Sequence, residues 1–521
     1  MEDDWTINAN EALTMSLVRP SPSGIEKIAS FKPRHTYAVF GEEECIFGHK
    51  GLRIDLQFDA RDLRPNLSVI SAKKFTKVGD IEAADVKLTM KGYLPEIAYQ
   101  SKEAYDYAVN TLPATWTPPG TLTKTIEKNG EIYEIWQGTL SQPEIHQLVK
   151  RIQITVLFYI EGGSYVGVDE EGNDEPEYSL ARWTVFFVYK KTPSPIAEGN
   201  PQYTFQGYAT TYNFWMYQQP TPPSSPGNEK VDSSWELPKG DFPVADFVHR
   251  MRISQFLILP PFQGKGIGAF LYNTMFEIAT NTAATKEVTV EDPNEDFDLL
   301  RDLCDMKYLR KNVPEFANLT INTDVPVPAK GGILRNNTQI TPSIRESSSI
   351  GGIVDIAKLE DLRIKTKIAP RQFWRLVEMH LMSKLPDSVR PRADAETKKP
   401  SPSKTDKHAY TLWRLLLKQR LYRRNVSILG EFEITERIIK LNETVDNVEW
   451  EYARILDRLE STPPAITSEP VATNGKRRLA GGPSTENLPS KKARVDEAEE
   501  ETEEEEETEE EEEEEEEAEE E

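Results

Sequence analysis

Two features between residues 253 and 303 could do chemistry together. The first is the turn Gln263-Gly-Lys-Gly-Ile-Gly-Ala269, with glycines alternating at Gly264, Gly266 and Gly268. Ile253-Ser-Gln-Phe-Leu-Ile-Leu259 precedes it and reads as a buried strand, and Ile267, Leu271, Met275 and Ile278 follow at helical spacing. A strand, a glycine turn and a helix make an anion-binding device. The N–H groups of the first turn point at the ligand, and the helix dipole favours negative charge there. Glycine lets the ligand approach, because a Cβ would stand between amide and phosphate. The group this arrangement suits best is a pyrophosphate.

The second feature is Glu291, which ends the strand-like Glu287-Val-Thr-Val290. Asp292, Pro293 and Glu295 fall at N-cap, N1 and N3 of a helix expected through Leu299, Leu300 and Leu303. That is a variant capping box, with proline at its favoured position. It gives Asp292 and Glu295 a structural task and leaves Glu291 without one. If the two strands pair, Glu291 ends beside the glycine turn, where a carboxylate can accept a proton. Asp292 is the second choice for that role.

Three nucleotide devices compete for the turn. The P-loop requires Ser or Thr after its lysine, and Lys265 is followed by Gly266. The dinucleotide fingerprint G-x-G-x-x-[G/A] matches Gly264, Gly266 and Ala269, but Pro260-Pro-Phe-Gln263 separates strand from glycines and about 250 residues precede them. The third device is Gln/Arg-x-x-Gly-x-Gly/Ala, filled by Gln263, Gly266 and Gly268. It resembles the pyrophosphate loop of the GNAT superfamily of N-acetyltransferases.

An acetyltransferase needs a base. The amine of a lysine substrate has a pKa near 10.4, so having it neutral at pH 7 costs about 4.6 kcal/mol. A glutamate whose own pKa is raised by burial can take that proton. Backbone N–H groups on the open-edged stretch Phe256-Leu-Ile258 are placed to meet the acetyl oxygen as it gains charge.

Further segments make the resemblance more specific. Ile253 through Gly268, Val290-Glu-Asp-Pro-Asn-Glu295, Phe40-Gly-Glu-Glu-Glu44, Phe47-Gly-His-Lys-Gly-Leu52 and Thr211-Tyr-Asn-Phe214 together resemble the type B histone acetyltransferase catalytic subunits, in a fungal form. The resemblance implies an α+β fold: a GNAT-type mixed sheet flanked by helices, with an N-terminal α/β domain, a C-terminal helical hairpin and a disordered acidic tail. It implies acetyl-CoA as cosubstrate and no metal. Phe256, Leu257 and Ile258 would meet the pantetheine through their backbone. Gln263, Gly264, Lys265, Gly266, Ile267, Gly268 and Ala269 would cradle the pyrophosphate, with Asn294 near the cofactor. Glu291 matches the family's general base. Glu42, Glu43 and Glu44, with Tyr212, Asn213 and Phe214, match surfaces that hold the N-terminal tail of free, newly made histone four. A WD-repeat histone-binding subunit is the implied partner, with no direct nucleic acid and no membrane, and nucleus and cytoplasm are the implied compartments.

Composition fits this reading. The net charge of −25 is concentrated at the end: residues 496–521 carry 22 acidic side chains, and −25 less −22 leaves −3 for the rest. With only Cys45 and Cys304 there is no disulfide framework. No apolar run reaches the ~18 residues of a membrane span, and the acidic N-terminus lacks the form of a signal peptide. The expectation is a soluble intracellular protein.

The chain divides by pattern into five parts. Residues 1–135 read as the N-terminal domain, with a strand at Arg53–Phe58 and an acidic turn at Gly41–Glu44. Residues 136–312 read as the acetyl-CoA-binding domain, with strands at Arg151–Phe158, Trp183–Tyr189 and Gln206–Tyr217, a solvated acidic loop at Asp169–Glu177 and a Pro/Ser-rich insertion at 218–244. An irregular connector follows at 313–368. The helical region 369–462 begins at Pro370, crosses a linker at 386–406, and continues through a basic helix from Tyr410 to Arg424. Ile434, Ile438, Leu441, Val445, Val448, Tyr452, Ile455 and Leu459 then form a seam at coiled-coil spacing, expected to fold back as a hairpin through Gly430. Residues 463–521 form a tail in which Lys476-Arg-Arg478 and Lys491-Lys-Ala-Arg494 are laid out as a bipartite import signal. Two rival functions fit parts of the sequence. One is a non-catalytic histone carrier, against which the intact loop and Glu291 argue. The other is an acetyltransferase for small amines, which the acidic turn and tail disfavour.

Overall fold

The computed structural model describes residues 5–169, 171–216, 247–327, 352–393 and 400–461. The insertion at 218–244 and the tail at 463–521, with its basic clusters, lie outside the described residues.

The chain is mixed α and β. Leu13–Ser21 (β1), Gly24–Phe31 (β2), Arg53–Asp59 (β3) and Pro65–Ile70 (β4) form a four-stranded sheet in the order β2-β1-β3-β4, with β1 and β3 parallel. The alternation read in Arg53–Phe58 is the burial pattern found: Ile54, Leu56 and Phe58 are buried. This sheet is tied to the rest of the fold through the loop after β3. Asp59 pairs with Arg61 at 2.7 Å, both buried, and Asp62 pairs with Arg151 at 3.0 Å.

Six strands form the larger sheet: Thr121–Lys128 (β5), Glu131–Thr139 (β6), Trp183–Pro193 (β7), Pro201–Trp215 (β8), His249–Ile258 (β9) and Thr285–Val290 (β10). Their order is β10-β9-β8-β7-β6-β5, antiparallel except for the β9–β10 pair. The strand Glu131–Thr139 runs across residue 135, so this sheet begins at Thr121 and takes its first two strands from what the sequence suggested was the first domain.

The apolar run Arg151–Phe158, expected as a strand, is helical. Pro143–Ile152 (α1) and Ile154–Tyr159 (α2) follow one another, with Pro143 at the helix start and Lys150 and Arg151 in the last turn of α1. Ile145, Leu148, Val149 and Ile152 repeat at helical spacing and are all buried. Because α2 is buried nearly all round, its residues show no alternation with which to tell strand from helix.

Helix Ile267–Asn281 (α3) connects β9 to β10, and Glu295–Asn312 (α4) follows β10. The region read as an irregular connector contains Ile356–Thr366 (α5), capped by the Asp355 side chain. Arg363 of α5 pairs with Glu287 on β10 at 3.1 Å, and Val288 N donates to Lys367 O at 2.8 Å. The outer edge of β10 is therefore covered. Lys367 Nζ also donates to the carbonyls of Ala279, Thr280 and Thr282 at 2.7–3.1 Å, placing a cation on the C-terminal end of α3.

Pro370–Ser383 (α6), Lys404–Arg424 (α7) and Ile434–Glu460 (α8) pack as the last three long helices. Ser403 caps α7, and Arg414 joins α7 to Asp446 and Glu449 of α8 at 2.7 and 3.0 Å. Leu441, Val445, Tyr452 and Ile455 of the expected seam are buried, but Ile434 and Ile438 at its start are 65% and 40% exposed. The seam therefore closes only from Leu441 onward. Tyr452 hides its hydroxyl by donating to Glu378 at 2.9 Å, and Arg420 closes on the same carboxylate at 2.7 and 2.8 Å.

Candidate active site

After β9 the chain makes a short 3-10 turn at Pro260–Phe262 and then the loop Gln263–Gly266. Gly264 and Gly266 have φ of +74° and +78°, the left-handed region that favours glycine. Gly266 is the N-cap of α3 and has no side chain with which to cap. The first helical bond runs from Phe270 N to Gly266 O at 3.2 Å. The N–H groups of Ile267, Gly268 and Ala269 are thus the donors a helix start leaves for solvent or a ligand. Gln263 is exposed but its side chain turns inward, with Nε2 donating to Ile258 O at 2.8 Å. It pins the loop to the strand end.

The neighbouring strand diverges at this level. The parallel register of β9 and β10 ends at Ile253↔Val290, and Glu291 N donates to Ile253 O at 2.9 Å. Beyond it, Ser254–Ile258 has β8 on one side only. Leu259 N donates to Gln206 O on the β8 side, so by alternation Phe256 and Ile258 present their backbone groups to the unpaired side. Phe256 and Phe297 meet edge to face at 5.0 Å in the gap, where Leu300 also approaches Gly268.

Glu291 sits where the strands part. Ser254 Oγ donates to its Oε2, and Arg252 Nη2 lies 3.1 Å from its Oε1. The side chain is 37% exposed, so the burial expected for this carboxylate is not what the fold provides: it is held by two polar neighbours and open to an incoming group. Asp292 is exposed, with φ of +32°, and does not cap the helix. The N-cap is Asn294, whose Oδ1 accepts from Phe297 N at 2.9 Å, and Pro293 lies outside the helix. Asp292 therefore lacks the capping task the spacing suggested, because α4 starts two residues later than that spacing implied.

Tyr212, Asn213 and Phe214 lie near the end of β8, with Tyr212 registered against Arg252. The Arg252 guanidinium covers the Phe214 ring at 4.3 Å, which brings this aromatic into the Glu291 cluster. Arg182, which sequence reasoning passed over, lies 4.4 Å from the Tyr212 ring and 4.4 Å from that of Trp215.

The acidic turn behaves unevenly. Glu42 and Glu43 are exposed, whereas Glu44 is spent on the fold. Its Oε1 accepts from the Thr36 and Tyr37 N–H groups and its Oε2 from Asn10 at 2.7 Å. Burial alone would raise the Glu44 carboxyl, but these three donors outweigh it and hold it below the usual range. A chain of contacts joins this turn to the site. Gly162 N donates to Tyr37 Oη at 2.9 Å, and Gln255 Nε2, next to Ser254, donates to Ser164 O at 2.7 Å.

Orphan donors at a helix start, an unpaired strand edge and an accessible carboxylate are the parts that a site needs to grip a phosphate-bearing ligand and take a proton beside it. The family described as Histone acetyl transferase HAT1 N-terminus matches residues 5–161, and Fungal HAT1, C-terminal matches residues 346–386. Curated proteins named histone acetyltransferase type B catalytic subunit are similar over nearly the whole chain. The one from Gibberella zeae is 43% identical over 508 residues, 96% of this chain and 100% of the relative. That from Pyricularia oryzae is 41% identical, covering 95% and 99%, and that from Neurospora crassa is 39% identical, covering 95% and 99%. The chain belongs to the family of type B histone acetyltransferase catalytic subunits. A solved structure described as AtaTR bound with AcCoA aligns at 15% identity over 24% of this chain and 61% of that one, with a TM-score of 0.16, too slight to bear on the fold.

Proposed function

We propose that the chain transfers an acetyl group from acetyl-CoA to lysine side chains of free histone four, on a GNAT-type sheet, with Glu291 as the general base. The observation that carries this reading is the parting of β9 and β10 with Glu291 at the fork, one strand end from the glycine loop. Acetyl-CoA, when bound, supplies the acetyl group as a thioester. The residues present fit it: three uncapped N–H groups suit phosphate, and the unpaired edge, Phe256 and the N–H of Ile258 whose carbonyl Gln263 occupies, suits an extended amide-bearing arm.

In this reading Gln263 pins the loop to the end of its strand, and Ser254 and Arg252 fix the rotamer of Glu291. The Glu291 carboxylate takes the proton of the lysine ammonium, directly or through one water. A backbone N–H on the unpaired edge faces the oxygen that gains charge as the bond forms. Glu42, Glu43, Tyr212, Asn213 and Phe214 are assigned to the histone tail, with Glu44 supporting the turn rather than meeting the tail. The WD-repeat partner and a nuclear as well as cytoplasmic pool belong to the same proposal, supported by the family resemblance and the paired basic clusters in the tail.

The test is transfer from labelled acetyl-CoA to free core histones by the full chain and by Glu291→Gln. The variant should lose about 10²–10⁴-fold in turnover, with unchanged affinity for acetyl-CoA. Near-wild-type turnover removes Glu291 from the mechanism. A wild-type chain that binds acetyl-CoA and histone but transfers nothing is a carrier instead.

A further inference from the structure

Positive charge gathers at the start of α3 from a distant strand. β5 is the edge of the large sheet, separated by three strands from β9, which feeds the glycine loop. Its side chains nevertheless reach α3. Lys124 pairs with Glu277, and Lys128 Nζ donates to Lys265 O at 2.6 Å. A Cβ built on Gly266 would stand 2.1 Å from Lys128 Nζ, and apart from the glycine's own chain neighbours only that lysine comes within 4 Å. The ammonium lies directly over the loop.

Within the fold one carbonyl, that of Lys265, ties the Lys128 ammonium to this place. The first turn of α3 contains no acid, and Lys265 already stands beside it. A second cation at the positive end of a helix works against the dipole. Glu131, across the hairpin from Lys128 and close enough to feel Lys265, takes its hydrogen bonds from Lys190 and Tyr133 rather than from Lys128. What Lys128 has is a neutral carbonyl as acceptor, where a phosphate oxygen would add the attraction of a full negative charge.

We infer that Lys128 is a ligand of the coenzyme's pyrophosphate, resting on the Lys265 carbonyl until the phosphate replaces it. This rests on the acetyl-CoA reading above and adds to it a residue about 135 positions away from the loop motif.

The test measures the affinity of full-length wild type, Lys128→Gln and Lys128→Arg for acetyl-CoA and for 3′-dephospho-acetyl-coenzyme A by calorimetry, with melting temperatures of the free proteins. Lys128→Gln should weaken both ligands by about 5- to 30-fold, between the worth of an exposed ion pair and that of a hydrogen bond to a charged group. Lys128→Arg should recover most of that loss, and the difference should shrink as salt rises. The free Lys128→Gln protein should melt no lower than wild type, a result a purely structural tether would not give. Equal affinity of wild type and Lys128→Gln overturns this inference alone. So does a lowered melting point accompanying the weaker binding, or a loss confined to acetyl-CoA, which would assign Lys128 to the 3′-phosphate. A wild-type chain that binds neither ligand overturns the acetyl-CoA reading and this one with it.

Discussion

Asp305→Asn tests how the helix behind the phosphate loop is held. Asp305, on α4, is 1% exposed and accepts from Tyr272 Oη of α3 at 2.7 Å and from Gln372 Nε2 of α6 at 3.1 Å, with Arg301 at 3.7 Å. Burial pushes its carboxyl from 3.8 up to about 6, against the pull of Arg301 and the two donors. An acid whose pKa is higher in the folded state favours folding while it is protonated. That contribution is fully present below about pH 4 and is lost as pH rises through 6. About two units correspond to roughly 3 kcal/mol. Asparagine carries no such dependence, but it turns an N–H toward one of the two donors, which costs about 1 kcal/mol unless Gln372 reverses. The variant should therefore be less stable than wild type by about 1 kcal/mol at pH 4 and more stable by about 2 kcal/mol at pH 7.5. Asp302, which shares Gln372 and pairs with Arg375 at 2.9 Å, is present in both proteins and largely subtracts out. Urea unfolding followed by tryptophan fluorescence in half-unit pH steps gives the difference directly, provided the m-value is unchanged. Midpoint curves that run parallel from pH 4 to 7.5 would show that Asp305 does not carry a raised pKa and would refute the reasoning.

Three further outcomes follow from the geometry. Gly266→Val forces a β-branched residue to a φ of +78° at the helix start and should abolish measurable acetyl-CoA binding; unchanged affinity in calorimetry sinks the phosphate-cradle reading. Glu44→Ala removes the acceptor of Thr36 N, Tyr37 N and Asn10 and should lower stability by about 1–2 kcal/mol in chemical denaturation, whereas Glu42→Ala with Glu43→Ala should leave stability alone and raise the KM for a histone-tail peptide. An effect on KM without any loss of stability in Glu44→Ala would return that residue to the substrate surface. Glu378→Ala strips the buried acceptor from Arg420 and Tyr452 and should cost about 3–5 kcal/mol; a melting point within a degree of wild type would mean the three helices are held by their apolar contacts alone.

The parts of the site readable in the sequence are those fixed by the backbone. Gly264 and Gly266 suit a turn whose positive φ favours glycine, and a helix follows because the loop's donors belong to its first turn. Such local demands leave their mark at fixed spacing. Burial on all sides erases the spacing, which is why the helical run through Phe158 reads as a strand and why its partner Asp62, 89 residues earlier, gives no sign of holding Arg151. Capping falls between these cases: Asp292 and Asn294 both suit a helix start, and in the fold Asn294 takes the cap while Asp292 adopts a positive φ ahead of it. What no local pattern can contain is the convergence of strands far apart in the chain. Arg252 at Glu291, Lys128 over Gly266 and Lys367 on the far end of α3 each depend on how the sheet and α5 bring distant residues together. The cations lie at sites that local chemistry made available, the dipole's negative end at Lys367 and an uncapped positive end beneath Lys128. The first is favourable for the chain by itself. The second has one carbonyl to hold it against the dipole, and an anion between them would turn that opposition into attraction, which is why Lys128 is the residue proposed for the ligand.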